Sequence, residues 1–248
     1  MTGGGFEKRE SLARFYLLHA GVPALIAIVL LALFESTSLD VRIENLFFDP
    51  ATREFPLHDA WFFDSVIHNA GRWPVILIGV GLAAGFALSF RRADLRPWRR
   101  ALLFGALCVA LSPLTVAGLK AGSAIHCPRR LEMYGGQQPY IRLLDPVPEG
   151  ARRGHCWPGG HSSGGFGLMT LYFVFRRRKP RVARVCLAAG LAYGLLLGMG
   201  RVVQGAHFVS HIFWAALVCW AVILALYELL LRREDDARAS SSAADSLC

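Results

Sequence analysis

Long apolar runs separated by short polar stretches dominate the chain. Hydropathy marks out six of them, which are Phe15–Phe34, Trp73–Phe90, Ala101–Leu119, Ser162–Phe175, Val185–Met199 and Ile212–Leu231. A helix needs about 20 apolar residues to cross a bilayer, with ~17 as a practical lower bound, and the fourth and fifth runs are shorter. We expect these two runs to extend into their polar flanks. The pattern predicts an all-α fold, a polytopic membrane bundle of six transmembrane helices.

Composition and charge support this class and give the bundle an orientation. The chain is 54% hydrophobic and only 18% charged, which is typical of a membrane protein rather than a soluble domain. Of its 27 Lys and Arg residues, 17 fall at the termini or in connections on the same side as the termini. Because cytoplasmic connections carry the excess of basic residues, both termini are predicted to be cytoplasmic. The net charge of +9 then needs no nucleic-acid partner to explain it.

The regions outside the spans divide the chain into one membrane domain, 15–231, and two flanking segments. Residues 1–14 lack the apolar core and cleavage site of a signal peptide, so we expect a cytoplasmic segment followed by an uncleaved anchor. The charged, Ser/Ala-rich tail 232–248 is predicted to be disordered. The loop Glu35–Arg72 contains aromatic residues interleaved with polar ones. This pattern suits an amphipathic helix in the headgroup layer, and packing over the mouth of the bundle suits it equally well.

Three polar clusters interrupt the apolar pattern at the ends of spans: 120–130, 158–161 and 201–211. Ionisable groups beside membrane spans are candidates for a functional site. The predicted topology places the first two clusters in the connection after the third span and the last cluster after the fifth. Both connections lie on the extracytoplasmic side. We therefore expect the three clusters to converge on one anion there.

The cations of these clusters suit a phosphate group. Lys120 ends the third span and can act as a point charge, whereas Arg129, Arg130 and Arg201 offer planar forks for two oxygens. Gly160 allows a close backbone approach at a helix start, where free amides favour an anion. Taken singly, each feature has a structural explanation, such as a snorkelling lysine or a turn glycine. Their occurrence on one face favours the anion site.

Three histidines supply the groups that phosphoester chemistry needs besides cations. His161 stands at a helix start, where it can serve as a general acid. His207 and His211 are four residues apart and share a face if the segment is helical, so that one can be a nucleophile and the other can orient it. A single histidine near a helix end is more often structural. The prediction depends on the three acting together.

The six cysteines indicate a disulfide rather than a metal site. No Cys-x-x-Cys pair is present, which argues against structural zinc, and we expect no metal. Cys127 and Cys156 lie in one polar loop beside the candidate site. A disulfide between them suits an extracytoplasmic loop, although the spacing alone does not fix the pairing.

The order of these residues resembles a known family. Lys120-x6-Cys127-Pro128, Pro158-Gly159-Gly160-His161 and Arg201-x5-His207 are similar to the three motifs of the type 2 phosphatidic acid phosphatase family, a relative of the vanadium haloperoxidases. The family pattern is K-x6-R-P, P-S-G-H and S-R-x5-H-x3-D. The resemblance covers about Leu119 to Trp214. It implies that Lys120 and Arg201 bind phosphate, that His161 protonates the leaving group, and that His207 forms a phosphohistidine without a metal or cofactor.

The chain departs from the family pattern at four positions. Cys127 stands where the pattern has its first arginine, and Arg129 or Arg130 is a candidate to replace it. Gly159 and Gly200 replace serines. His211 replaces the aspartate that orients the nucleophile, and a neutral imidazole does not stabilise an imidazolium as a carboxylate does. Asp145 is one guess for a substitute carboxylate.

The resemblance implies an integral membrane lipid phosphatase of the bacterial inner membrane with a periplasmic active site. Its expected partners are the bilayer and a phosphorylated lipid substrate, with no obligate protein partner. Arg142, Arg152 and Arg153 would suit a multiply anionic headgroup such as that of lipid A, or they form a solvated loop face. Two alternatives remain open: a lipid phosphotransferase that uses the same intermediate, and a homologue weakened by His211 that is no longer an enzyme.

Overall fold

The computed structural model describes residues 11–150 and 152–232, and in this part of the chain the protein consists of helices and loops. The predicted all-α class is confirmed. In chain order the helices are α1 Leu12–Ser36, α2 Leu39–Glu44, α3 Phe62–Leu88, α4 Ala93–Gly122, α5 Gly160–Gly167, α6 Thr170–Phe175, α7 Pro180–Val203 and α8 Val209–Leu230. The first ten residues and most of the predicted disordered tail lie outside the described residues.

Within the described residues, five helices are long and apolar enough to cross a membrane: α1, α3, α4, α7 and α8. The fifth predicted run extends into its polar flanks as expected, because α7 covers Pro180–Val203. The second span begins at Phe62 rather than at Trp73. A π-helical stretch, Phe62–Asn69, and a 3-10 turn, Ala70–Arg72, lead into the α-helix without a break. The predicted count of six spans is not confirmed.

The fourth predicted span, Ser162–Phe175, differs from the rest because it forms two short helices inside the bundle. α5 packs against α4, α7 and α8. A Cβ atom on Gly165 would lie 2.7 Å from the Cα atom of Gly194 in α7, so small residues are required where these two backbones meet. A helix covered by other helices needs neither the length nor the apolar surface of one that faces lipid.

The pair α5–α6 connects the two ends of the bundle. Gly160, at its start, faces Lys120 near the end of α4. Phe175, at its finish, lies 6.0 Å from Trp98 near the start of α4, measured between ring centroids. We call the end that contains Lys120 the site end and the end that contains Trp98 the opposite end.

Connections at the site end form an apolar layer of their own. Phe55, Leu131, Tyr134 and Phe208 are buried together, with Tyr140 packed against them. Tyr134 also donates a hydrogen bond from its hydroxyl to Asn45 Oδ1, at 2.9 Å. The beginning of α3 takes part in this end of the bundle, because buried Ile67 fills the space beside Gly200 of α7. The segment thus packs on the bundle through Ile67 and leaves Trp61 and Phe62 exposed.

Candidate active site

Helix ends bring the three polar clusters together at the site end. Lys120 lies in the last turn of α4, Gly160 is the first residue of α5, and Arg201 lies in the last turn of α7. His207 is in the short link between α7 and α8, and His211 is in the first turn of α8. A Cβ atom on Gly160 would lie 3.6 Å from Lys120 Nζ, so the ammonium group faces the start of α5.

His207 and His211 form a buried pair. Their side chains are 5% and 3% exposed, and their Nδ1 atoms lie 3.4 Å apart. Burial, followed by the influence of His211, Lys120 and Arg201, lowers the pKa of His207 well below its usual range. His207 is therefore a neutral imidazole near pH 7, with two cations beside it. A neutral ring next to cations is the state that a nitrogen nucleophile for an anionic phosphate requires.

A disulfide lies directly against this pair. Cys127 and Cys156 are joined, and Cys156 Sγ is 3.4 Å from His207 Nδ1. The ligand atoms of Cys156, His207 and His211 lie within 4.8 Å of one another, a spacing that would suit a metal ion. A disulfide sulfur is not a thiolate, however, and thiolates are the form in which cysteine binds zinc. With the disulfide formed, only two of the three ligands are usable.

His161, also at the site end, is held by the first turns of α3. Its Nε2–H donates to the carbonyl oxygen of Ile67, at 3.3 Å. The His68 ring packs edge-on against it with 4.6 Å between ring centroids, and Asp64 lies 3.5 Å from His68 Nδ1. This Asp64–His68 pair was not predicted as part of the site. Its spacing of four residues on a helical segment was the one signal in the sequence.

The guanidinium of Arg201 is positioned by a side chain three residues later. Arg201 Nη1 donates to Gln204 Oε1 at 2.7 Å, and Gln204 Nε2 donates to the carbonyl oxygen of His58 at 2.7 Å. Gln204 is 1% exposed, so its orientation is fixed. Sequence reasoning missed both Gln204 and His58. Neither carried a motif, and His58 comes from a loop distant in sequence.

The two arginines proposed to replace the family's first arginine differ in placement. Arg129 Nη1 donates to His58 Nε2 at 2.7 Å, and the Arg129 backbone N–H donates to the carbonyl oxygen of Gly205, at 3.0 Å. These contacts place Arg129 beside the segment between α7 and α8. Both arginines are exposed, and the contacts of Arg130 with the neighbouring loop are made by its backbone carbonyl, which accepts from the N–H groups of Gln137 and Gln138. Arg129 is the better placed of the two.

A cavity of about 500 Å³ extends from His161 along the outer surface between α3 and α4. Arg72, Gly160 and His161 line its polar end. The remainder is lined by apolar residues, among them Val75, Val80, Ala110 and Pro113. Volumes of ~300–1,000 Å³ with a few polar groups at one end are typical of ligand sites. The cavity joins the candidate site to the apolar face of the bundle.

Comparison with known families agrees with this geometry. The family model of the PAP2 superfamily matches residues 101–235, which is more than half of the chain. The chain belongs to the PAP2 superfamily. No curated protein and no solved structure matches it. The superfamily predicted from the three motifs is thereby confirmed, and it makes the protein a phosphatase, a hydrolase of phosphoesters. The apolar helices indicate a multi-pass membrane protein.

Two departures from the PAP2 motif have steric causes in this protein. A Cβ atom on Gly159 would lie 2.9 Å from Ile212 Cδ1 and 3.2 Å from the carbonyl oxygen of His211, so the serine of the family pattern would be crowded. The backbone N–H of Gly159 donates to the same oxygen at 2.9 Å. At Gly200 a Cβ atom would lie 2.5 Å from Ile67 Cγ2. Both glycines allow close contact between segments that form the site.

The carboxylate that would replace the aspartate of the PAP2 motif is not Asp145 in this structure. Asp145 lies in an exposed part of the loop, where its carboxylate accepts a hydrogen bond from the backbone N–H of Arg142 at 2.9 Å. A different carboxylate, buried Asp40 of α2, bonds to Ser210, the residue directly before His211. Sequence reasoning missed Asp40 because nothing in its local pattern links it to a helix 170 residues later.

Proposed function

We propose that this PAP2 protein removes a phosphate from a phosphorylated lipid at the periplasmic face of the inner membrane, through a phosphohistidine on His207. One observation carries the proposal. Lys120 and Arg201 stand beside a buried neutral histidine, and neither cation forms an ion pair with a carboxylate among residues 11–150 and 152–232. Cations held near one another without a counter-ion are costly unless an anion binds between them.

The proposed reaction divides the work among these groups. Lys120 and Arg201 hold the phosphate oxygens and stabilise the charge that develops on them. Nε2 of His207 attacks phosphorus, the bond from phosphorus to the lipid oxygen breaks, and His161 in its imidazolium form gives its proton to that oxygen. Water then attacks the phosphohistidine while His161 takes up a proton. The nitrogen–phosphorus bond breaks and inorganic phosphate leaves.

The apolar cavity between α3 and α4 supports a lipid as the substrate. It begins at His161, where the leaving group would be protonated, and continues along side chains that face the apolar surface. An acyl chain can lie there while the phosphate stays with Lys120 and Arg201. A small soluble phosphate would leave this cavity without a function.

Two features support the periplasmic side. The Cys127–Cys156 disulfide suits an oxidising compartment, and the distribution of basic residues favours cytoplasmic termini. Lipid A is one lipid that fits a periplasmic site. Its multiply anionic headgroup would find Arg153 near the site, because Arg153 contacts the carbonyl oxygen of Ala121, the residue after Lys120. Arg142 is instead engaged with Glu35 at the end of α1.

Phosphate release by the purified protein in detergent tests the proposal. We expect free phosphate from at least one lipid in a panel of lipid A, undecaprenyl pyrophosphate, phosphatidylglycerophosphate and phosphatidic acid. His207→Ala should lower the rate by about 10³-fold or more while the protein elutes and melts as the wild type does. Equal inactivity of both proteins on every lipid would contradict the proposal and favour the homologue without enzymatic activity.

The same assay separates hydrolysis from phosphotransfer. Release of free phosphate without any added acceptor indicates hydrolysis. If phosphate left the donor only when a second lipid was present, the protein would be a phosphotransferase and the hydrolysis part of the proposal would be wrong.

A further inference from the structure

The buried carboxylate of Asp40 has two hydrogen-bond donors on one residue of α8. Asp40 is 7% exposed, and its Oδ1 accepts the backbone N–H of Ser210 at 3.0 Å. Its other oxygen accepts the hydroxyl of the same Ser210. Ser210 directly precedes His211 and is three residues after His207. A carboxylate is thus fixed at the start of α8, although the helix itself has none in its first turn.

A small cavity connects Asp40 with His211. Its polar lining includes Asp40, Ser210, His211 and Tyr140, together with Glu35 and Arg142, and its volume is about 20 Å³. About 10–15 Å³ is enough for one water molecule, which needs two to four polar partners. Carboxylate, hydroxyl and imidazole groups provide those partners here. One water can therefore connect the Asp40 carboxylate to the His211 ring.

The contact between the two histidines makes the tautomers of both rings depend on each other. Their Nδ1 atoms face each other at 3.4 Å, so a hydrogen bond needs one protonated and one unprotonated Nδ1. If His207 carries its proton on Nδ1, its Nε2 has a free lone pair for phosphorus. His211 must then accept on Nδ1 and carry its own proton on Nε2, and that proton needs an acceptor.

We propose that Asp40 is this acceptor, through one water, and that it is the positioning residue that replaces the aspartate of the PAP2 motif. Asp40 holds His211 with its proton on Nε2, His211 holds His207 with its proton on Nδ1, and Nε2 of His207 remains free to attack. The negative charge of Asp40 also stabilises the positive charge on the imidazoles during the reaction. The inference rests on the proposed function of His207.

A purely structural role for Asp40 would be to cap α8. Aspartate and asparagine cap helices about equally well. In Asp40→Asn the amide oxygen can still accept the Ser210 N–H and the amide NH₂ can donate to the Ser210 hydroxyl. This variant therefore keeps the cap and loses only the charge. Ser210→Ala does the reverse, because it removes the hydroxyl contact and keeps the charge.

Steady-state kinetics on the full-length protein in detergent distinguish the two roles. We expect Asp40→Asn to lower kcat about 100-fold, with KM and the melting temperature close to the wild type, since loss of the carboxylate in a triad disturbs the tautomer. Ser210→Ala should lower the melting temperature more and kcat less. An Asp40→Asn protein with wild-type kcat would overturn the inference, as would a loss of kcat that follows only the loss of stability.

A double variant adds a test that depends on the pairing. His211→Asp restores the carboxylate of the PAP2 motif next to His207, so Asp40 should become dispensable. We expect Asp40→Asn to cost at most about threefold in kcat in the His211→Asp background, a strongly non-additive result. An undiminished 100-fold cost in that background would contradict a route through His211.

Nitrogen-15 NMR of labelled histidines gives a result that needs no turnover. The ring shifts should report Nδ1–H for His207 and Nε2–H for His211 in the wild type, and a changed or mixed tautomer in Asp40→Asn. Unchanged tautomers would overturn the inference while leaving the proposed phosphatase function intact. If no lipid phosphate were hydrolysed but the tautomers changed as expected, the proposed function would fail and the Asp40 contact would stand.

Discussion

Two arginines at the opposite end of the bundle differ in their contacts from Lys120 and Arg201, the two phosphate-binding candidates at the site end. At the opposite end, Arg178 lies over the Trp98 ring at 3.9 Å and donates to the carbonyl oxygen of Pro97 at 2.6 Å. Arg99 lies over the Phe90 ring at 4.2 Å and donates to Ser89. At the site end, the Arg201 guanidinium has one neutral hydrogen-bond partner, and the Lys120 ammonium has no hydrogen bond or ion pair within the described ranges.

The difference separates cations that hold the fold together from cations kept for a ligand. An aromatic face and a carbonyl oxygen satisfy a guanidinium within the protein, and such contacts stabilise the folded state by about 0.5–2 kcal/mol. A cation without such partners stabilises little until an anion binds. Substitutions of these two pairs should therefore affect different quantities, activity for Lys120 and Arg201 and stability for Arg99 and Arg178.

The largest contrast is expected between Arg201→Ala and Arg178→Ala. Removing the charge that faces the phosphate should lower kcat/KM by about 10²–10³-fold, the usual cost of one donor in such a site. Arg178→Ala should leave kcat/KM within about threefold and lower the melting temperature instead. Phosphate release and thermal unfolding measured on both variants check this. Similar activity losses in the two variants would remove the distinction between the ends.

The next effect concerns His161 and the leaving group. His161→Ala should lower the hydrolysis of a lipid phosphate about 100-fold, because the alkoxide then leaves without its proton. A p-nitrophenyl phosphate substrate leaves as a stable anion, so its hydrolysis should fall far less. Rates for both substrates, compared with those of Arg201→Ala, provide the control, since loss of phosphate binding should affect the two substrates alike.

A smaller effect is expected in the cavity between α3 and α4. Ala110→Trp fills the cavity and should raise KM for a long-chain lipid phosphate about tenfold. That factor corresponds to the free energy of burying about two methylene groups. A short soluble phosphate ester should keep its KM. Leu77→Trp is the matched control, because Leu77 is 66% exposed on α3 and does not line the cavity. Equal effects of the two tryptophans would argue against acyl-chain binding there.

The smallest effect concerns stability at the site end. Both carboxylate oxygens of Glu44 are buried without a hydrogen-bond partner in the described structure, and burial, with the charge of Asp40, raises the pKa of Glu44 from 4.5 to about 9. The folded protein thus binds this proton more tightly than the unfolded chain does. The wild type should lose stability, relative to a variant without this group, as pH rises from about 4.5 to about 9.

Glu44→Gln tests this dependence. Its melting temperature, relative to the wild type, should be about 4 °C or more higher at pH 8.5 than at pH 5, given ~2–4 °C per kcal/mol for a chain of this size. Thermal unfolding in detergent at the two pH values measures the change. A difference that did not vary with pH would mean that Glu44 is not protonated in the folded protein.

Sequence patterns predicted the parts of the molecule that depend on local composition. α1, α4, α7 and α8 follow from apolar runs, and the three polar clusters follow from their position at the ends of those runs. The fourth run was predicted as a full span, whereas it forms α5 and α6. Apolar periodicity cannot distinguish a helix that faces lipid from one enclosed by other helices, because the covering partners are remote in sequence.

The same limit applies within the candidate site. Lys120, His161, Arg201 and His207 carry motif spacing and were found. Asp40, His58 and Gln204 act through contacts with segments far along the chain, and no local pattern marks them. Gly200 replaces a serine of the family pattern for a reason that only the structure shows, because Ile67 packs against it. The glycine in place of a serine is explained only by the neighbouring side chain that occupies the space of the missing Cβ atom.

The enclosed position of α5 and α6 has a consequence for how the protein is made. α5 is rich in glycine and serine, and three helices cover it, two of which are translated after it. Because glycine and serine offer little apolar surface to lipid, we expect stable insertion only after α7 and α8 leave the ribosome. We expect glycosylation mapping of a chain truncated after α6 to find the segment outside the bilayer. The catalytic residues would then be assembled only when synthesis is nearly complete.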